Sequence, residues 1–182
     1  ADFSAAELGG ENIYVHSYGL LAGDHSAMTE KAVYAGTKKQ HLDFFYHIDH
    51  VGKKTHAEID VKGALDDDSK KIFRGTLNFK KGCSGSVGDE GDYAIQLSPK
   101  TKNISLPLLL CTEDDVQGNH ASSAGQLDAN TIYFLMSRGF SLEEARRIVI
   151  EALIRPIIDG MDPSVRDEII TELRQKLDSK EL

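Results

Sequence analysis

Cysteine is scarce in this chain: Cys83 and Cys111 are its two thiols. Two are too few for a disulfide scaffold, and they read as thiols of a reducing cytoplasm. No apolar run is long enough to cross a membrane, and no signal peptide opens the sequence. Residue 1 is Ala, which reads as a processed product or an excised fragment. Basic residues do not gather into one long patch, and the formal net charge is −8. A nucleic-acid binder needs a positive surface to replace condensed counterions, so nucleic acid is disfavoured as a partner. P-loop, G-x-G-x-x-G, G-x-S-x-G and H-E-x-x-H motifs are all missing. Without them the chain is not expected to hydrolyse ATP by itself.

What is present is ordinary globular material: 182 residues, 40% hydrophobic and 27% charged. That length suffices for one sizeable core, or a core with a helical appendage. Residues 1 to about 110 read as short strands, with no amphipathic helix of normal length among them. In one of them Ala57, Ile59 and Val61 face one way, and Glu58, Asp60 and Lys62 the other. Glycines punctuate the runs. Val61-Lys62-Gly63-Ala64-Leu65 is echoed twelve residues later by Phe73-Arg74-Gly75-Thr76-Leu77. Gly-broken strands with an echo suit a sandwich or a stacked solenoid, and periodicity does not choose between them. Residues 80–103 are polar and Gly-rich and read as a long connection. Ile104 to Cys111 is an apolar run interrupted by Pro107, which marks an edge or terminal strand.

The pattern then turns helical. Asp128 caps a helix to about Arg138, and Gly139 ends it. Ser141 and Glu144 form a capping box for a second helix, which Pro156 is expected to kink or end. Asp162-Pro163 starts a third.

Chemistry concentrates in few residues. His120 lies among small neighbours, Gly118, Asn119, Ala121 and Ser122, in what reads as a loop. A neutral imidazole there is accessible and suited to iron, though one histidine does not make a metal site. Asp114 and Asp115 read as turn-capping acids, with orientation of His120 as the alternative. Cys111, closing an apolar strand, reads as buried, with a ligand role as the minority reading. Cys83, in a Gly/Ser loop, reads as exposed and oxidisable. His41, His47, His50 and His56 form a rival cluster. Side chains three apart on a strand point to opposite faces, however, so His47 and His50 read as polar strand residues.

From Glu113 to Arg147 the order of features is specific: Asp114-Asp115-Val116-x-x-x-His120, Leu127-Asp128, Tyr133-Phe134, Arg138-Gly139 and Ser141-Leu142-Glu143-Glu144. This order resembles the SufB/SufD family of SUF iron-sulfur cluster assembly, on its SufD side, in the carboxy-terminal portion. SufB-type sequences resemble D-x-C-G-x-H here, whereas this chain has Gln117 at the cysteine position. The resemblance implies a mainly β chain with a right-handed parallel β-helix over residues 1–112, truncated on its amino-terminal side. A His-containing loop over 113–127 and a helical subdomain over 128–182 follow. It further implies a non-catalytic scaffold that binds no cofactor stably alone and shares a transient iron-sulfur cluster with its partner through His120. The implied partners are a SufB-like subunit and a SufC-like ATPase, in the cytoplasm. Isolated, the chain is expected to form a homodimer through strand edges. Tyr133, Phe134, Met136, Arg138 and Phe140 are the expected ATPase-docking region, because aromatics, Met and Arg are enriched at interface centres. The rival readings are a metal-dependent β-fold enzyme using His47 and His50, and a solenoid interaction module without a cluster role.

Overall fold

The computed structural model describes residues 1–178. Nine strands come first: β1 (Asp2–Glu7), β2 (Asn12–Leu21), β3 (Ala27–Gly36), β4 (His41–His50), β5 (His56–Leu65), β6 (Lys70–Phe79), β7 (Ser86–Gln96), β8 (Lys102–Cys111) and β9 (Val116–Gly125). Three helices follow: α1 (Ala129–Ser137), α2 (Leu142–Ile158) and α3 (Pro163–Asp178). Odd strands build one sheet in the order β1-β3-β5-β7-β9, and even strands a second in the order β2-β4-β6-β8. Every pairing is parallel. The chain alternates between two sheets and climbs one strand per coil, so the fold is a two-sheeted parallel β-solenoid with a helical tail.

Asn12 pairs with His41 and His41 with Lys70, so one coil takes 29 residues. The twelve-residue echo does not mark this repeat, since its two members lie in different sheets, on β5 and β6. The corners carry the repeat instead. His25 and Lys54 stand one coil apart with φ of 60° and 54°, and Lys38 and Asp67 do the same with 55° and 54°. None of the four is glycine, so these left-handed corners leave little mark in the sequence.

Alternation aims every second side chain into the space between the sheets. There Phe44 lies in register with Phe73, and Ile48 with Leu77. Ala57, Ile59 and Val61 meet them from the other sheet, and all seven are buried. Two segments read as connections are strands: β7 lies inside 80–103, and β9 occupies most of the expected 113–127 loop. β1 also has no counterpart among the expected strands.

β8 is a free edge of its sheet, as Pro107 suggests. The Lys102 N–H donates to the Ser69 carbonyl (3.0 Å) and the Thr112 N–H to the Phe79 carbonyl (2.9 Å). Even-numbered amides of β8 therefore look back to the preceding coil and odd-numbered ones look outward. Pro107 is odd, so its missing N–H falls on the free edge.

The helices begin where their caps predict. Asp128 accepts from the Thr131 amide (2.7 Å), both bonds of the Ser141–Glu144 box form, and Asp162 accepts from the Ser164 amide (2.8 Å). Gly139, with φ of 98°, closes α1. Pro156 does not stop α2, which runs on to Ile158. The proline sits in the last turn on the exposed side, where one lost bond is tolerated. Ile150, Ile154 and Ile157 of α2 and Leu173 of α3 pack on Val33, Ala35 and Ala64, the outer face of the five-stranded sheet. The subdomain expected over 128–182 is thus seen to Asp178, and residues 179–182 lie outside the described residues.

Inside the upper coils the apolar filling gives way to charge. The Lys71 ammonium pairs with Asp92 and donates to the Tyr34 hydroxyl (3.1 Å), with Lys71 and Asp92 both buried. Burial pulls Lys71 below the ordinary lysine range, and the Asp92 carboxylate opposes that pull. Lys71→Met strands a buried carboxylate and is expected to cost about 3–5 kcal/mol, while adding Asp92→Leu should restore most of the loss. Urea melts of the two variants check this, and a double variant no better than the single one refutes it.

Candidate functional site

Among the described residues no coil lies above the last one, β8 with β9, so its inward-facing side chains form an open mouth. Glu90 is in register with His120, and Asp92 with Ser122. The same face of β8 presents Asn103, Ser105, Pro107, Leu109 and Cys111. A Cβ at Gly118 would touch Phe79 and Leu109, so this face of β9 is the inward one. His120, two residues on, shares it and is exposed only because nothing covers the coil. The histidine is accessible as expected, on a regular strand rather than in a loop.

The other expected site residues scatter. Asp115 accepts from the Ser84 hydroxyl (2.6 Å) through its side chain and from the Gly85 amide (2.6 Å) through its carbonyl. The Asp114 amide donates to Glu113 (3.1 Å), whose carboxylate also takes the Gly82 amide (2.8 Å). These contacts tie the corner before β9 to the coil below, with the Glu113 carboxylate, rather than that of Asp114 or Asp115, accepting from the backbone donors. Gln117 lies three residues from His120 and so faces outward. A thiol at 117 would point away from the imidazole, and the amide there does not by itself decide what His120 can bind.

Both cysteine expectations reverse. Cys83 is buried and packs in the main core, where burial pushes its thiol up. Cys111 is exposed at the mouth. Burial here depends on whether another coil covers a position, which local sequence does not reveal.

His47 and His50 do not come together. His47 faces outward, bonded to Asp49 (2.9 Å) and stacked on Tyr18 at 5.3 Å. His50 faces inward, bonded to Thr55 (2.7 Å) and stacked on Phe79 at 4.4 Å. Burial and the neighbouring His56 pull His50 down to about 4, against a weaker upward pull from Asp49. Among the described residues no three His, Cys, Asp or Glu side chains are grouped to hold a metal. A metal held at His120 would therefore need ligands from elsewhere.

The aromatic region is at the surface. α1 buries none of its residues, and Tyr133 is 75% and Phe134 54% exposed. Both rings are more than half exposed, and Tyr133 lines a cleft with Gln96, Leu97 and Pro99. The Arg138 guanidinium lies over the Phe134 ring at 5.1 Å.

The residue that sequence reasoning missed is Glu90. It is buried, and neither carboxylate oxygen has a hydrogen-bond partner. Burial first, and the Asp92 charge second, push its carboxyl up to about 8. Its run, Gly88-Asp89-Glu90-Gly91-Asp92, looks like a polar loop. Only the coil repeat counted from β5 would have exposed it as a strand.

Residues 2–153 match the family described as SUF system FeS cluster assembly, SufBD core domain. The chain is 32% identical over 158 residues to the iron-sulfur cluster assembly protein SufD of Bacillus subtilis, covering 86% of this chain and 36% of that protein. It is 26% identical over 179 residues to an iron-sulfur cluster assembly SufBD family protein of Mycobacterium leprae, covering 93% of this chain and 46% of that one. With the iron-sulfur cluster assembly protein SufD of Escherichia coli it shares 20% over 171 residues, covering 93% and 40%. The chain thus spans less than half the length of these curated relatives.

Glu90 predicts a pH dependence. Its native carboxyl titrates near 8 against an ordinary 4.5, so between those values the native chain holds a proton that the unfolded chain has released. Stability then falls as pH rises. His50 acts in the opposite sense between about 4 and 6.5, where only the unfolded chain is protonated, and it is silent above. From pH 6.5 to 8 stability is expected to fall by about 1 kcal/mol per pH unit, and Glu90→Gln should abolish the decline. Urea melts across that range check it; the same slope in the variant would exclude Glu90 as the source.

Proposed function

The chain is a SufD-like member of the SufB/SufD family of iron-sulfur cluster assembly proteins, and on that premise we propose that it is a non-catalytic scaffold. It pairs with a SufB-type subunit through its open coil end and docks a SufC-type ATPase through α1. The observation that carries this reading is His120 on the inward face of an uncovered coil whose two strands are both free edges. Unpaired strand edges are templates for another chain. Beside them Ile104, Leu106, Leu108 and Leu110 form an exposed apolar row on the outside of β8, which favours a protein partner.

In this reading the nascent cluster is cargo, assembled between two mouths. His120 contributes an imidazole, and the partner supplies the thiolates that this chain does not group there. The exposed aromatics of α1 seat the ATPase. α2 is fixed to the sheet by buried isoleucines and α3 by Leu173, so force applied at the helices reaches a stiff solenoid and shifts the paired mouths. No covalent intermediate on this chain is required. The whole operates in the cytoplasm.

Without the SufB-type subunit the same edges join two copies, so light scattering should report a dimer for both the wild-type chain and His120→Ala. With the subunit present, His120→Ala should leave folding and pairing intact. Iron and sulfide content and cluster absorption of the assembled complex should then fall sharply. Equal loading of mutant and wild type would leave the chain a purely mechanical subunit, and a monomer at high concentration would refute edge pairing.

Tyr133→Ala with Phe134→Ala removes two exposed rings, so the fold should be unchanged. ATPase binding should weaken by at least about tenfold, as for interface anchors. Undiminished binding in a pull-down or calorimetric titration would place the docking surface elsewhere.

A further inference from the structure

One inward column runs up the five-stranded sheet through Phe3, Glu30, Ile59, Glu90 and His120. Two of these are buried acids, and they differ in one respect. The Glu30 carboxylate accepts from the Ser17 hydroxyl at 2.7 Å. The Glu90 carboxylate accepts from nothing, although only 4% of the residue is exposed. Leaving a buried acceptor unpaired is unfavourable, more so for a charged group. The opposing sheet has made room for the acid: a Cβ on Gly75 would collide with the Glu90 carboxyl, whereas the coil below has Tyr46 at that position. The nearby cation, Lys71, is bonded to Asp92 and Tyr34. Ile59, one coil lower, shows that an apolar side chain fills this column well.

Resting on the scaffold reading above, we infer that Glu90 and His120 together form a binding site for a ferrous ion admitted through the open mouth. Adjacent strands lie about 4.8 Å apart, and side chains in register project side by side. One ion with bonds of about 2.1 Å to each ligand fits between an imidazole and a carboxylate so placed. The donors, one imidazole nitrogen and one anionic oxygen, suit ferrous iron and leave its other positions to water or to a partner's ligands. Binding releases the proton of the buried carboxyl to solvent, and the cation then balances the carboxylate charge. His120 is then the outer ligand and Glu90 the inner one, and the two hold iron before sulfide arrives.

Anaerobic calorimetric titration of the chain with ferrous iron tests this, using wild type, Glu90→Gln, His120→Ala and the double variant. Glu90→Gln keeps shape and volume, and Glu90→Met repeats the apolar filling of Ile59 should the amide disturb folding; melts of each confirm the native state. Each single variant should bind at least about tenfold more weakly, and the double variant little worse than either, because both ligands serve one ion. Wild-type affinity in folded Glu90 variants, with loss only in His120→Ala, overturns the inference and leaves the histidine reading standing. Unchanged affinity in all variants, or no binding by the wild type, overturns the ferrous site. Cluster loading of His120→Ala in the assembled complex still decides the scaffold reading separately.

Discussion

Everything in this molecule hangs on parallel stacking in register. Each inner strand satisfies its main-chain donors and acceptors on the coil before and the coil after, at a repeat of 29 residues in the middle coils. Side chains of one parity are thereby forced into columns between the sheets. A column tolerates a polar residue only if a neighbour in the stack, or something beyond the stack, answers it. Lys71 with Asp92, and Glu30 with Ser17, are answered from within. His120 belongs to the last layer, which stacking leaves unfinished.

That same layer explains what could be read without coordinates. The alternation in β5 is plain because its inward positions, Ala57, Ile59 and Val61, are apolar. In β7 and β9 the inward positions are Gly88, Glu90 and Asp92, then Gly118, His120 and Ser122, and the apolar rhythm vanishes. Segments that looked like connections are therefore strands whose core side is polar. Strand propensity is weak beside the demand of the neighbouring coil for a partner. The helices were legible for the opposite reason, since Asp128, Ser141–Glu144 and Asp162 act within one turn.

The site was legible in part. Family-specific spacing singled out His120, and the structure places it at an accessible mouth. Which residues accompany it could not be read, because its neighbours in space are a coil away in sequence. Asp115, close by along the chain, turns out to hold a corner together with Glu113. Glu90, thirty residues earlier, lies beside the histidine in register. The exchange of roles between Cys83 and Cys111 has the same origin: coverage by the next coil, which no local window contains.

Pro107 has a consequence beyond marking an edge. A solenoid with a bare last coil is a growing end, and an indiscriminate strand could add to it as a monomer adds to a polymer. On β8 the missing amide faces the incoming strand, so the ladder offered to a newcomer has a rung removed near its middle. An arbitrary strand meets that defect without compensation. A matched partner can offset it with side-chain contacts along the apolar row outside β8. The proline thus works as a chain terminator, making the β8 edge a poor seed for fibre growth.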